Sequence, residues 1–398
     1  MRFLLRPTAL VCLFAAVARS QQPVTRQQAL ESAVARGARA AVARADTLVG
    51  SAQLLAARSR DNPSLAATYS KSAPHYHAIV DLPLDIGGVR GARVRSAEAT
   101  RLASQYRFTF ERAAAELDAD TTYTRALAAR ERVRLAHRNA KDADSLRRMA
   151  AIRRDAGDAS ELDVLLATLN AGQAANLAAT DSLTLVSSLF DLQSVMGLDT
   201  NHVFLVPVDS LALPLSPAPM PAPAQTLPVA AAEQALTAAE LGVNVQRRSI
   251  FAPFSIQAGI EQGDPGAPGI LPTFGLSIPL PLLNRNRGLI AQAEAERERA
   301  RAELALAKVE TQAALGRASR QRNLAFEKIQ RDRLLVESAN RIAAMSLTAY
   351  REGAQGLPAV LEAQRNAREI LSQYIDDLAT AWIATATLRL YTLPVPGR

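Results

Sequence analysis

The sequence predicts a mainly α-helical fold with a small β part, built from a duplicated unit of one β-hairpin and one helical hairpin. The stretch PLPLLNRNRGLIAQAEAERERARAEL (279–304) changes from a short apolar run with two prolines to an Ala/Glu/Arg segment typical of long helices. The stretch LPLDIGGVRGARVRSAEA (82–99) shows the same change 196 residues earlier. The two stretches align without a gap, with Pro83 on Pro279, so the chain contains an internal repeat.

The same separation holds much further along the two copies. Gly157 aligns with Gly353, and Val164 and Leu165 align with Val360 and Leu361. A constant offset over this distance indicates that the length of the repeated element is itself constrained.

Each repeat contains the same elements in the same order. The first, residues 21–206, predicts a helix at about 26–58, a β-hairpin at about 63–84, a long helix at about 89–156, a turn at Gly157 and a return helix. The second, residues 229–393, predicts a helix at about 229–248, a β-hairpin at about 253–280, a long helix at about 288–352, a turn at Gly353 and a return helix. At 1.5 Å per residue, each long helix would extend ~100 Å.

Turn-forming residues separate these elements. Glycine ends a helix at little cost because it adopts the left-handed conformation, which favours helix reversal at Gly157 and Gly353. Seven prolines in the 22 residues 207–228 predict an irregular linker between the repeats. The run GDPGAPG (263–269) predicts a loop between the strands of the second hairpin.

The first twenty residues have the pattern of a secretory signal peptide. Arg2 and Arg6 precede a twelve-residue apolar run that ends in small residues, too short for the ~20 residues of a spanning anchor. The only cysteine, Cys12, lies in this run after a branched Val11, which disfavours lipidation. Removing residues 1–20 lowers the formal net charge of +8 by three, to +5, and the remaining charges are interleaved. This pattern gives no indication of nucleic-acid binding.

Four short strands cannot close a membrane barrel by themselves. Closed barrels begin at about eight strands, and an open edge in lipid leaves backbone groups unpaired. The strands of an exported protein with this pattern must therefore be shared among subunits. The alternative from the residues alone is a non-channel periplasmic coiled-coil scaffold with two surface hairpins.

The repeats resemble the TolC family of outer-membrane efflux proteins. The resemblance rests on the NPSL run at 62–65, the strand-to-helix junction PLPLLNRNRG (279–288), the YREG turn at 350–353 and the VLEAQ run at 360–364. The NRNRG run is closest to the CzcC-like branch associated with heavy-metal efflux. In this junction the proline residues would end the strand and an asparagine would cap the helix; the residues concerned are Pro279, Pro281, Asn284, Asn286 and Gly288.

The resemblance implies a homotrimer in the outer membrane of a Gram-negative bacterium. Its four strands per subunit would form a twelve-stranded β-barrel in outer-membrane lipid, continued by an α-barrel tunnel across the periplasm. The turns at Gly157 and Gly353 would dock a periplasmic adaptor, and an inner-membrane pump of the resistance-nodulation-division type would supply energy. The outer component of a type I protein secretion system is the alternative within the same fold.

The resemblance also assigns residues to the periplasmic mouth of this tunnel. Asp163 and Glu362, after the two turns, match acidic sites that narrow the mouth in the family, although Ala359 stands where an acid is common. Tyr350 would act as a latch to a neighbouring helix. The alternatives are exposed acids favoured near a helix start and a tyrosine that only packs.

No motif predicts catalysis or a cofactor. His75 and His77 flank Tyr76, but two ligands are fewer than a zinc site uses, so no metal site is predicted. GDPGAPG lacks the lysine and hydroxyl residue of a phosphate-binding loop. The sequence therefore predicts a passive duct rather than an enzyme.

Overall fold

A computed structural model describes residues 21–199, 204–214, 225–251, 254–278 and 280–395. The predicted signal peptide, Pro279 and the middle of the predicted linker, residues 215–224, lie outside this part of the chain. The described helices are α1 (Arg26–Arg36), α2 (Ala38–Arg58), α3 (Val89–Asp155), α4 (Glu161–Val195), α5 (Leu227–Arg248), α6 (Arg287–Arg351) and α7 (Leu357–Tyr391). The described strands are β1 (Gln21–Val24), β2 (Ser64–Tyr69), β3 (Tyr76–Leu84), β4 (Phe204–Pro207), β5 (Phe254–Asp264) and β6 (Ala267–Ser277).

The two long helices dominate the molecule. α3 has 67 residues and α6 has 65, so each extends ~100 Å. α3 pairs with its return helix α4, α6 pairs with α7, and α5 packs against both long helices. The mainly α fold with a small β part is as the sequence predicts.

Small side chains let these helices approach closely. Large side chains of α3 such as Leu102 and Phe110 are only half-buried. Between residues 99 and 119 the buried residues of α3 are instead alanines: Ala99, Ala103, Ala114, Ala115 and Ala119. In a single subunit the large side chains of α3 therefore remain partly exposed, where a further helix could pack on them.

The first predicted helix is broken into α1 and α2 at Gly37. Its backbone is extended (φ −60°, ψ 136°), and an added Cβ would lie 2.2 Å from the carbonyl oxygen of Ala33 and 3.1 Å from that of Val195. Thr25 and Gln28 form a capping box that begins α1. At this break the chain lies close to the end of α4, a contact that the Ala-rich sequence of this segment does not reveal.

A short parallel pair of strands was not predicted from the sequence. β1 pairs with β4, which joins the start of the first repeat to the beginning of the linker. Next to this pair, Arg26 forms an ion pair with Asp120, and its backbone nitrogen donates to Asp209 Oδ2 at 2.8 Å. The Tyr123 hydroxyl also donates to Asp209 Oδ2, at 2.6 Å. These contacts fasten the N-terminal segment and the linker to the middle of α3.

The four remaining strands form one antiparallel sheet in the order β2-β3-β5-β6. Both hairpins thus join through the β3–β5 pairing. β5 and β6 extend into the run GDPGAPG, so most of this predicted loop is strand, with the turn itself at residues 265–266. None of the described helices combines the length and hydropathy required to cross a lipid bilayer.

Candidate functional site: the sheet and the helical turns

The sheet has one apolar and one polar face. Pairing across the strands places Leu65, Val80, Ala258 and Phe274 in one row, and Phe274 is 80% exposed. The other large side chains of this face are also exposed: Tyr69, Tyr76, Leu82, Ile256, Ile260, Ile270 and Leu276. This continuous apolar surface exceeds what a soluble protein normally exposes.

The opposite face carries mostly polar side chains. Its polar members are Ser64, Thr68, His77, Asp81, Ser255, Gln257, Glu261, Thr273 and Ser277, and Ile79 and Leu271 are the large apolar side chains among them. Ser255 Oγ donates to Asp81 Oδ1 at 2.6 Å, and His77 Nδ1 lies 3.5 Å from Glu261 Oε1. A sheet with this alternation fits between lipid on one side and water on the other.

Both edges of the sheet are open. β2 and β6 are the edge strands, and within the described ranges no strand pairs with their outer edges. Unpaired backbone groups next to an apolar face cannot remain in lipid without a partner strand. The single subunit is therefore an incomplete structure for a membrane environment.

The second strand-to-helix junction differs from its predicted arrangement. Asn286 occupies the N-cap position of α6 with φ 57°, but its side chain makes no capping hydrogen bond. Its Nδ2 instead donates to the Gln246 carbonyl oxygen at 2.7 Å, and Asn284 Oδ1 accepts from the Asn286 nitrogen at 2.9 Å. Asn286 thus joins the start of α6 to the end of α5.

Of the other predicted junction residues, Pro281 is half-buried and Gly288 is exposed. Pro281 lies between β6 and α6, outside any regular element, and Gly288 is the second residue of α6 with no atom near its missing Cβ. Pro279 is not among the described residues. Leu282 and Leu283, between Pro281 and the asparagines, are strongly exposed.

The first junction contains a cap that sequence reasoning missed. Asp85 Oδ1 accepts from the Val89 nitrogen at 2.7 Å, and Oδ2 accepts from the Arg90 nitrogen at 3.0 Å. Gly88 precedes α3 with φ 63°. The available signal was an aspartate four residues before the helix start, which the sequence itself predicts at about residue 89.

The turns at the far end of the helices have matching geometry. Gly157 has φ 85° and Gly353 has φ 76°, as the repeat predicts. After α3, the Asp158 nitrogen donates to the Arg153 carbonyl oxygen, and after α6 the Ala354 nitrogen donates to that of Ala349, both at 2.8 Å. These are the bonds of a Schellman motif, and they recur at the 196-residue separation.

Tyr350 packs inside the cluster that joins the two turns. It is 3% exposed and contacts a core of Leu146, Ala150, Ala167, Leu357 and Val360. Arg153 of α3 donates to the Tyr350 carbonyl oxygen, and its guanidinium carbon lies 4.8 Å from the centre of the Tyr350 ring. Burial raises the pKa of Tyr350, opposed by Arg153 and with a further contribution from Asp163.

Arg153 was not singled out from the sequence. It is one of many arginines on α3, and nothing in its local spacing marks it as a contact to α6. The structure brings Tyr350, Arg153 and Asp163 together across three helices. Tyr350 therefore contacts a neighbouring helix of its own subunit and does not line an opening within it.

The two predicted mouth acids lie at the starts of the return helices. Asp163 is half-buried in a capping box, where its Oδ2 accepts from the Ser160 nitrogen at 3.1 Å and from Ser160 Oγ at 3.0 Å. Glu362 is exposed, and its Oε1 accepts from Arg365 at 3.0 Å. Both local contacts would occur on any solvated helix, so the geometry of one subunit does not distinguish a mouth from a surface.

The histidines of the first hairpin do not come together. His75 Nδ1 lies 3.1 Å from the Ser70 carbonyl oxygen within the turn, whereas His77 faces Glu261. Across the described ranges, no three His, Cys, Asp or Glu side chains are close enough to hold a metal ion.

Comparison with known proteins identifies the family. The family model described as "Outer membrane efflux protein" matches residues 17–198 and 222–392. The chain belongs to this family. The two matched ranges correspond to the two repeats and leave out most of the proline-rich linker.

One curated relative is the cobalt-zinc-cadmium resistance protein CzcC of Cupriavidus metallidurans. It is 28% identical to this chain over 239 residues, which cover 58% of the chain and 57% of the relative. The match thus spans little more than half the length of that relative.

Solved structures of outer-membrane channels and proteins share the fold. A crystal structure of CusC has a TM-score of 0.77 at 16% identity and covers 93% of this chain and 92% of its own. The Campylobacter jejuni CmeC channel has a TM-score of 0.79 at 15% identity, with 92% and 85% covered. VceC of Vibrio cholerae has a TM-score of 0.79 at 15% identity, with 93% and 96% covered.

Proposed function

We propose that this protein is the outer-membrane duct of a tripartite heavy-metal efflux system. Three subunits would form a twelve-stranded barrel in outer-membrane lipid and a helical tunnel across the periplasm. The turns at Gly157 and Gly353 would dock a periplasmic adaptor, and an inner-membrane pump of the resistance-nodulation-division type would drive export. The signal peptide at 1–20 would be removed during secretion.

The observation that carries this proposal is the four-stranded sheet with an apolar face and two open edges. Pairing β2 of one subunit with β6 of the next satisfies both edges, and three copies close a ring of twelve strands. The polar face, with Asp81 and Glu261, would then line an aqueous lumen. The heavy-metal substrate rests on the similarity to a cobalt-zinc-cadmium resistance protein.

Metal accumulation in cells tests the transport function. Deleting the gene should raise the cell content of cobalt, zinc or cadmium, and restoring the gene should reverse the rise. The purified protein in detergent should have a mass of three subunits, each 42.6 kDa before processing. A soluble monomer would contradict the duct, and unchanged metal content with loss of a secreted protein would instead indicate type I secretion.

Neutralising the two mouth acids should alter ion selectivity. Three copies each of Asp163 and Glu362 would place six carboxylates around a narrow opening, where walls of low dielectric concentrate their field. Asp163→Asn with Glu362→Gln keeps the capping acceptor at 163 while removing the charges. In planar bilayers we expect lower cation preference and weaker block by a trivalent cation, most clearly at low salt.

Two exposed acids far from the turns provide the matched control for this experiment. Asp191→Asn with Glu310→Gln removes the same charge from exposed positions of α4 and α6. We expect these control channels to keep the selectivity of the wild type. Equal selectivity in both double variants would show that Asp163 and Glu362 only solvate their helices.

A further inference from the structure

A pair of buried carboxyl groups lies between α6 and α7, away from the helical turns. Asp332 of α6 is 9% exposed and Asp377 of α7 is 5% exposed. Their carboxyl groups are close enough for a hydrogen bond between them. The Oδ2 atom of each is buried and, among the described residues, receives no hydrogen bond.

Among the described residues, the hydrogen-bond donors around this pair all reach the same oxygen, Asp377 Oδ1. Lys328 Nζ donates to Asp377 Oδ1 at 2.7 Å, and Gln373 Nε2 donates to the same oxygen at 3.2 Å. Arg331 of α6 is a second positive charge that acts on Asp332, and Arg333 follows Asp332 in the chain. On the far side of α7, Arg132 of α3 forms an ion pair with Asp376 rather than with the buried pair, and Asp181 of α4 lies near that ion pair.

Two ionised carboxylates in this position would be unfavourable. Like charges in contact repel, and burial withdraws the water that would otherwise screen them. Burial raises the pKa of Asp332, and the adjoining Asp377 raises it further, while Lys328 and Arg331 oppose the rise. The two buried carboxyl groups are both acceptors, and they lack one hydrogen-bond donor between them.

We propose that Asp332 and Asp377 form a proton-binding site in which one proton is shared between the two carboxyl groups. The proton supplies the absent donor, so that both carboxyl groups are satisfied by one hydrogen bond across the α6–α7 interface. The remaining negative charge is balanced by Lys328, which already contacts Asp377. The pair differs from the mouth acids because it lies inside a helix interface, about 19 residues before the end of α6, or ~28 Å along the helix.

A proton fits this site better than a metal ion. Hard divalent cations take six or more oxygen ligands, and the pair offers two unpartnered oxygens beside an ammonium group. Loss of the proton would place two like charges at the contact between α6 and α7. The site would thus weaken this helical hairpin as the surrounding pH rises.

The direction of the pH dependence follows from the raised pKa of Asp332. The folded protein holds the proton more tightly than the unfolded chain, whose aspartates titrate near pH 4. The stabilisation of the folded protein by this proton is complete below about pH 4. It is lost as the pH rises through the raised pKa of Asp332 in the folded state. Asp332→Asn replaces the proton permanently because its amide can donate to Asp377 at every pH.

Thermal unfolding of the assembled protein in detergent tests this site. Between about pH 5 and pH 8 we expect the unfolding midpoint of the wild type to fall by a few degrees more than that of Asp332→Asn. At pH 8 the midpoint of Asp332→Asn should therefore be the higher of the two. Asp142→Asn, an exposed acid on α3, is the matched control and should follow the wild type. Parallel curves for all three proteins would overturn the proposal.

Infrared spectroscopy of the folded wild type provides a second measurement that needs no stable variant. A protonated carboxyl band should persist at neutral pH and disappear in both Asp332→Asn and Asp377→Asn. Absence of this band in the wild type would contradict a shared proton. A rise in the unfolding midpoint with added Na⁺ or Ca²⁺ at alkaline pH, in wild type alone, would show that a cation occupies the site instead.

Discussion

Replacing Ile260 with arginine is expected to abolish assembly of the protein in the outer membrane. Ile260 lies near the middle of β5 on the apolar face of the sheet, where its side chain is exposed. An arginine on the lipid face near the bilayer midplane costs about 2–4 kcal/mol, and a trimer would carry three copies. Membrane fractionation and gel electrophoresis without heating should show no trimer in the outer membrane.

Thr273→Arg is the matched control because it places the same charge on the opposite face. Thr273 belongs to β6 and pairs with Gly259, the neighbour of Ile260. An aqueous lumen should tolerate this arginine, so we expect trimers at near wild-type levels. The reverse outcome, with Ile260→Arg assembled and Thr273→Arg absent, would mean that the polar face is the one that is buried.

The fold class could be predicted from the sequence because its signals are local and repeated. Glycines 196 residues apart, Ala/Glu/Arg-rich stretches and short strands next to prolines each indicate one element without knowledge of its partners. The Schellman bonds after α3 and α6 confirm that the repeat predicts backbone geometry as well as element order. Periodicity is less informative for a helix whose buried face consists of alanine, since alanine has little hydrophobic contrast.

The features that sequence reasoning missed depend on partners distant in the chain. β1 is a four-residue strand that contains Pro23, and its partner β4 lies 183 residues away. The break at Gly37 lies against the end of α4, and the contact of Arg153 with Tyr350 joins residues 197 positions apart. None of these contacts leaves a local pattern, so only the packed structure reveals them.

At the junction between β6 and α6, a residue singled out from the sequence has a role other than the predicted one. The sequence predicts Asn284 or Asn286 as the cap of α6 because asparagine is favoured at helix starts; Asn286 occupies the N-cap position, without a capping bond from its side chain. In the structure it adopts a left-handed conformation and uses its side-chain amide to bond α5. Asparagine serves both roles because it tolerates positive φ, so residue type alone could not decide between them.

Substituting valine for Gly157 or Gly353 should strongly reduce export while sparing assembly. Both glycines have positive φ, a conformation that costs a residue with a Cβ about 1–2 kcal/mol and more for a branched side chain. Valine would therefore displace the turn and its Schellman bonds, where the adaptor is proposed to dock. Because the sheet lies ~100 Å away along the helices, trimers should still reach the outer membrane.

Two further substitutions separate the turn conformation from a general effect of mutation. Gly157→Asn should retain more export than Gly157→Val because asparagine tolerates the left-handed region. Gly172→Val lies within α4, where no atom approaches the missing Cβ and φ is not positive, so both assembly and export should remain close to wild type. Metal accumulation measured at equal trimer abundance compares the variants directly. The valine variants could instead form few trimers, each of which exports normally. That result would show that the turns are needed for folding and that the docking surface lies elsewhere.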